Sequence, residues 1–528
     1  MKFPGRLLLA VVLLSVPLFS QGVDSQIETI ENYNEWGWTS IVMSNGLITV
    51  ATMPEIGARI MQYDLGSHSS IFVNPSMVGK VGTPNQNGSW LNYGGYKVWP
   101  APQDRWGWIP PVQLDVGPYE SEIIDQTDDS VSVNVRSPQE VWTKHPMLPG
   151  LVFERRAVIY KNSSRVKLEQ SMINTTDDEM TWSVWDVTQT VTQHGNERDF
   201  ENFWAYFPIK KEESVFGENG VRTSASSQAW QGEVAPGVYG VQFLPQGKKI
   251  FADSPEGWIA YVDEREGYAY FKVFEIWEGE NYPDGGARNE VWINSSPPYM
   301  EIEVLSPIWA IPADSGKITF VIDWYAAKMN GPIKHANHVG AINKNLGYQN
   351  DTSRLEAIYG VFHEGTAKVV FLDDNSDVVA EGQSYDVTPM NAFKIDEMLE
   401  QPAAAKTVEV RVYNKDGDML GVIESKAVEL LSTVAQQAYE PSAFTLLQNY
   451  PNPFNPSTTI EYSLQQPQDV NLAIYDVNGR KVATLASGRK TAGNHKVVWN
   501  ATQQAAGVYW LKLEADGRSA SLKMLLLK

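Results

Sequence analysis

Residues 92–108 read "NYGGYKVWPAPQDRWGW". The segment sets Tyr93, Trp99, Trp106 and Trp108 beside Lys97, Gln103, Asp104 and Arg105, on a chain broken by Gly94, Gly95, Pro100 and Pro102. Flat rings are stacking platforms; the ammonium, amide, carboxylate and guanidinium groups are donors and acceptors. The combination suits a ligand with apolar C–H faces and many hydroxyls, the chemistry of a sugar. The glycines and prolines fit an irregular loop at a cleft rim. His145, in "WTKHPMLPG", can join from another loop. For any one tryptophan, plugging the end of a core is an equal reading, because large aromatics dominate cores.

A second set of residues is acidic. In "YMEIEVLSPIW", Glu301 and Glu303 are two apart, so a strand brings both carboxyls out on one face. Asp186 lies in "WSVWDVTQT", followed by Gln189, and the nearest histidine, His194, falls beyond that strand. Asp186 with Glu303 would make a carboxyl pair of the kind that cleaves glycosidic bonds. His335 and His338 have metal-ligand spacing but no third ligand beside them, which favours exposed loop residues. The acidic loops "DDNSD" (373–377) and "NKDGD" (414–418) could accept Ca²⁺, yet lack the EF-hand ladder with its distal glutamate. They read as solvated turns, and no cofactor is expected.

The elements that must carry these residues are strands. "SIVMSNGLITVATM", "LVFERRAVIY", "RVKLEQSMIN", "MTWSVWDVTQT", "YAYFKVFEIW" and "KITFVIDWYAA" alternate or run apolar with β-branched and aromatic residues. This predicts an all-β domain over residues 23–345, an antiparallel double-layer supersandwich. A further β-rich unit follows over 346–432, read as a small accessory sandwich or spacer. The segment 433–445 is a polar linker. The 528 residues hold 18 tryptophans and no cysteine, with a net charge of −21. That excess of negative charge repels phosphate backbones and argues against nucleic-acid binding. Without disulfides, stability must come from large cores.

The ends of the chain are addresses. Lys2 and Arg6, then "LLLAVVLLSVPLF", then small residues at Ser20 and Gly22 form a secretory signal peptide over 1–22. Its apolar run is too short to span a bilayer. From 446 to the end, "TTIEYSL", "VNLAIYDV", "HKVVWN" and "GVYWLKLEA", with hairpin turns "NG" and "DG", make a small β-sandwich. "NYPNPFNPSTTIEYSL", "YDVNGRKVATL" and the terminal "KMLLLK" resemble the C-terminal sorting domain of type IX secretion cargo, related to flagellar-hook-capping (FlgD) Ig-like domains. The resemblance implies a Gram-negative bacterium of the Bacteroidetes or a neighbouring phylum. It also implies recognition by the type IX machinery and delivery through the periplasm to the surface or medium, often with loss of the tail.

The main domain also resembles a family. "NGLITVATMPEIGARIMQYDL" is similar to the opening hairpin of aldose epimerases, and "GGYKVWPAPQDRWG" to a segment of their hexose-6-phosphate branch. "VKLEQSMINTTDDEMTWSVWDVTQT" and "YMEIEVLSPIWAIPADSGKITFVIDWY" resemble the strands carrying that family's general-acid histidine and catalytic glutamate. The order of the segments matches the galactose-mutarotase-like superfamily, which implies a carbohydrate held on a concave sheet face. Glu303 then stands where the family's base stands. Where the acid histidine belongs, this chain has Asp186 or Gln189. An ionised carboxylate cannot protonate a ring oxygen, so the resemblance implies negligible mutarotation of free glucose or galactose. The expectation is a secreted carbohydrate-binding protein with a part in polysaccharide use. The alternatives are an epimerase-like isomerase, a lyase or hydrolase using Glu303 and Asp186, or a structural surface protein.

Overall fold

The computed structural model describes residues 25–85, 88–224 and 231–432, and in the C-terminal unit 444–446, 449, 451–464, 468–477, 479–491, 493–515 and 518–527. The segment expected to be a signal peptide and nearly all of the expected linker lie outside the described residues. The chain is nearly all β, built from antiparallel sheets.

Two large sheets face each other in the main domain. The first runs, in spatial order, from Gln26–Ile30 through Ser40–Ser44, Ile48–Met53, Arg59–Leu65, Tyr96–Ala101, Met180–Thr190, Pro298–Leu305, Asn289–Ser295 and Lys248–Ala252 to Val221–Thr223. The second has Tyr268–Phe274, Gly316–Lys328 and Val166–Asn174 at its centre. Between them lies one core, in which Val50, Ile60, Leu168, Val184, Ile302 and Ile322 are buried. Alternation decides which residues enter it. Tyr96 points inward and its hydroxyl donates to Gln170 Oε1 of the second sheet at 2.8 Å. Lys97 and Trp99 are therefore sent by turns to the opposite, outer face.

The accessory unit is a sandwich of two smaller sheets with its own core, including Leu355, Phe371 and Val410. Its first strands, His335–Ala336 and Gly340–Gln349, pair with one another, and the second continues to Arg354–Val361. The unit thus starts about ten residues before position 346. It is no free spacer. Ile333, Ala336, Ala341 and Phe362 share a buried cluster with Trp258, Phe271 and Tyr325 of the second large sheet. Phe362 stacks on Tyr325 with ring centroids 4.5 Å apart. In its acidic loops, Asp373 caps the backbone N–H groups of Asn375 and Asp377, and Asn414 caps those of Asp416 and Asp418. The C-terminal unit has two sheets and a separate core around Ile460, Leu472, Trp499 and Leu511.

Candidate functional site

The outer face of the first sheet is polar and aromatic at its centre. Register sets the rows. Lys97 lies opposite Val187, Val187 opposite Glu303, Glu303 opposite Glu290, and Glu290 opposite Phe251. One step along the strands, Gln189, Glu301, Trp292 and Lys249 form the next row. Trp99 and Trp185 form a third. Opposed residues share a face, so these side chains converge.

Their contacts divide into two groups. Lys97 Nζ lies 2.8 Å from Glu301 Oε1, which also accepts from Gln189 Nε2 at 2.9 Å. Lys249 Nζ lies 2.7 Å from Glu290 Oε2 and 2.5 Å from Glu303 Oε2. Trp185 Nε1 donates to that same Glu303 oxygen at 2.6 Å. Glu303 Oε1 is buried without a hydrogen-bond partner among the described residues.

Burial governs the charge states. It pushes Glu303 above the usual carboxylate range, with Lys249 opposing and the Glu301 charge adding to the rise. It pushes Glu290 well above that range, again against Lys249, and the charges of Glu303 and Asp284 add to it. Glu301 differs: burial also acts upward, but the charge and hydrogen bond of Lys97 outweigh it and hold Glu301 low. Burial pulls the Lys97 ammonium down, with Glu301 resisting. Burial acts downward on Lys249 too, but Glu290 and Glu303 raise it on balance.

A row of tryptophans leads from solvent to Glu303. Trp108 is 55% exposed and meets Trp90 edge to face at 5.2 Å. Trp90 meets Trp99 at 5.9 Å, and Trp99 meets Trp185 at 5.4 Å. The Lys97 ammonium sits 4.6 Å from the Trp99 ring centre, and that of Lys249 sits 4.8 Å from Trp185. Asp115, buried on a short helical turn, fixes the row by accepting from Trp99 Nε1 at 2.8 Å and Trp90 Nε1 at 3.1 Å. Arg59 neutralises it at 2.6 Å. Beside the site is a cleft of about 590 Å³, bordered by Asp104, Val215, Glu280, Tyr282, Asp284 and Gly286. Asp284 connects the cleft wall to Glu290, whose pKa it influences.

Other residues singled out in the sequence lie elsewhere. Asp186 is one position out of phase with Val187, which faces Glu303, and so points between the sheets. There it is fully buried and ion-paired with Lys272, which also donates to the Ile302 carbonyl at 2.8 Å. Asp186 and Glu303 stand on opposite faces, and the expected pair does not form. Trp106 is 1% exposed, packs behind Trp99 at 6.0 Å and donates to the Pro100 carbonyl at 2.7 Å. It is a core plug. Tyr93 is also core: it packs on Trp38 at 5.9 Å, and its hydroxyl accepts from the Gly82 N–H at 2.8 Å. Arg105 and His145 both lie against Trp182, at 5.1 and 5.5 Å. Arg105 also donates to Thr181, while Gln103 donates to the Gly107 carbonyl at 3.3 Å. They brace the loop instead of joining the carboxyls. His194 bridges Asp199 and Asp263, while His335 and His338 meet Glu256 and Asp323 separately. Among the described residues no three His, Cys, Asp or Glu side chains cluster as metal ligands.

Sequence reasoning missed Trp90, Trp185, Lys249 and Glu290. For Glu290 a signal existed. Ser295 and Pro298 pair across a two-residue turn, and counting back along "NEVWINS" from that turn puts Glu290 opposite Glu303.

Residues 448–527 match the family model described as secretion system C-terminal sorting domain. No curated protein matches the chain. Several solved structures resemble the main domain at low identity. The Slr1438 protein of Synechocystis sp. PCC 6803 is 11% identical, with a TM-score of 0.38 over 55% of this chain and 96% of that one. A galactose mutarotase-like protein from Clostridium acetobutylicum is 12% identical, with a TM-score of 0.37 over 58% of this chain and 99% of its own. A galactose mutarotase related enzyme from Lactobacillus acidophilus gives 10% and 0.35 over 56% and 100%. No helix among the described residues is long and apolar enough to cross a membrane. The chain carries a C-terminal sorting domain of the secretion system and is a secreted or cell-surface protein.

Proposed function

We propose that this is a secreted carbohydrate-binding protein, exported by the type IX route, that holds a sugar on the outer face of its first sheet in the service of polysaccharide use. The observation that carries the reading is the row Trp108, Trp90, Trp99 and Trp185, which leads from solvent to hydrogen-bonding carboxyls and lysines. Rings stack on sugar C–H faces, and fixed charged groups orient hydroxyls. A glycan array probed with the mature chain, followed by titration of the best glycan, tests it.

Trp108→Ala is expected to weaken binding by about 1–2 kcal/mol, roughly 5–30-fold, through loss of one stacking ring. Melting temperature should barely change, since the ring is largely exposed. Unchanged affinity would remove Trp108 from the site. Deleting 446–528 should leave the remainder folded, because the tail closes its own core. The truncated protein should accumulate in the periplasm, as cell fractionation would reveal. Its normal delivery to the surface would refute the export role.

A further inference from the structure

The cleft beside the tryptophan row is short of positive charge. Its border carries the carboxyls of Asp104, Glu280 and Asp284, none of which has a salt-bridge partner among the described residues. Next to Asp284 stands Glu290, 1% exposed, whose Oε1 is buried without a hydrogen-bond partner among the described residues. Burial holds the Asp284 carboxyl above its usual range, with Lys249 opposing and the Asp104 charge adding to the rise. Two cations face the group. Lys249 is already engaged by Glu290 and Glu303. Arg222 lies 4.0 Å over the Phe251 ring, and its Nη2 donates to the Asp284 backbone carbonyl at 2.8 Å, not to a carboxylate.

The walls of the cleft are held in place. Asp284, Gly285 and Gly286 all have positive φ, and the turn closes where the Ala287 N–H donates to the Pro283 carbonyl at 3.0 Å. Across from it, Asp253 accepts from Ser214 Oγ at 2.7 Å and from the Val215 N–H at 3.0 Å. Val215 then packs so closely on Gly286 that a Cβ there would stand 3.0 Å from its Cγ2. The third wall belongs to the loop that carries Trp108, so one loop sets Asp104 on the cleft and Trp108 on the row.

We propose that this cleft takes the protonated amine of an amino sugar, so that the preferred ligand of the face is a glucosamine-type polymer with free amines and not a neutral glycan. The proposal rests on the carbohydrate reading above. An ammonium brings three donors and a positive charge to acceptors that lack both. Carboxylates withdrawn from water without a counter-ion are costly, and a cation that enters relieves the cost. A hydroxyl fills one lone pair and leaves the charge unbalanced. The volume of about 590 Å³ is that of a small-ligand cleft and admits a sugar ring together with its amine. The rival explanation is a general pull on polycations by a chain of net charge −21.

Calorimetric titration of the mature full-length chain separates the two. The probes are the β-1,4-linked glucosamine tetramer, cellotetraose, which has a hydroxyl wherever that tetramer has an amine, and spermine, a polyamine without rings. In mildly acidic buffer, where the sugar amine is charged, the glucosamine tetramer should bind about 10-fold or more tightly than either of the others. Asp284→Asn should lower its affinity about 10-fold, the loss of one charge-assisted hydrogen bond, and leave that of cellotetraose unchanged. Asparagine tolerates the left-handed backbone at Asp284, where φ is 55°, so the variant should fold. Asp104→Asn, at an exposed position, should act in the same direction. Trp108→Ala should weaken both tetramers alike. Equal affinity for the two tetramers overturns the proposal and leaves the carbohydrate reading standing, as does an amine preference that both asparagine variants retain. Spermine binding as tight as that of the glucosamine tetramer overturns it in favour of general attraction. Binding of other glycans on the array but not of the glucosamine tetramer also overturns it, and binding of no glycan overturns both readings.

Discussion

Lys272→Ala is expected to destabilise the main domain by about 3–5 kcal/mol, the usual cost of stranding one member of a buried ion pair. Both Lys272 and Asp186 are fully buried between the sheets, so water cannot compensate the orphaned carboxyl. The lysine also ties the second sheet to the Ile302 carbonyl, on the strand that carries Glu301 and Glu303. Burial already pushes the Asp186 pKa up and the Lys272 pKa down, each against the pull of its partner. Without Lys272, only Gln170 and the Arg155 charge still oppose the upward push on Asp186. Against a typical total of about 5–15 kcal/mol the loss is large and should appear as a lower denaturant midpoint. The double variant Asp186→Leu with Lys272→Met should recover most of it, because apolar residues of similar size replace buried pairs well. A single variant within about 0.5 kcal/mol of wild type would mean that the pair contributes nothing.

Trp106→Ala should cost about 3–5 kcal/mol in stability, as removal of a buried large aromatic does. The ring fills the space behind Trp99, so its loss opens a cavity under the site and releases the Pro100 carbonyl from its donor. Trp108→Ala, two residues away, should cost less than about 0.5 kcal/mol. Thermal melts of the two variants check the contrast. If Trp106→Ala abolished sugar binding while melting normally, the ring would belong to the cleft instead.

That contrast shows where the sequence was legible. Strand alternation was plain in "RVKLEQSMIN" and "MTWSVWDVTQT", and both are strands where expected. The sorting tail was legible from its motifs. Which face each residue took was not. In the Met180–Thr190 strand nearly every position is buried, because the outer face is covered too, so polarity does not mark inside from outside. Asp186 and Gln189 are both polar and buried, yet one meets Lys272 between the sheets and the other meets Glu301 at the site. A slip of one residue in phase exchanges those roles. Trp106 and Trp108 differ for a related reason: an irregular loop has no period, and only its packing decides which ring turns inward. Glu301 and Glu303 were found because their spacing alone placed them on one face. Glu290 was hidden because its meaning comes from a hairpin register, not from its neighbours in sequence.

The accessory unit packs on the second sheet around Trp258, Phe271 and Tyr325, while the tryptophan row and the carboxyls occupy the first sheet's opposite side. The molecule therefore has two poles. Changes in the accessory unit can accumulate without touching the row. A copy tethered from its accessory pole would point its tryptophans outward, into the medium from which a ligand arrives.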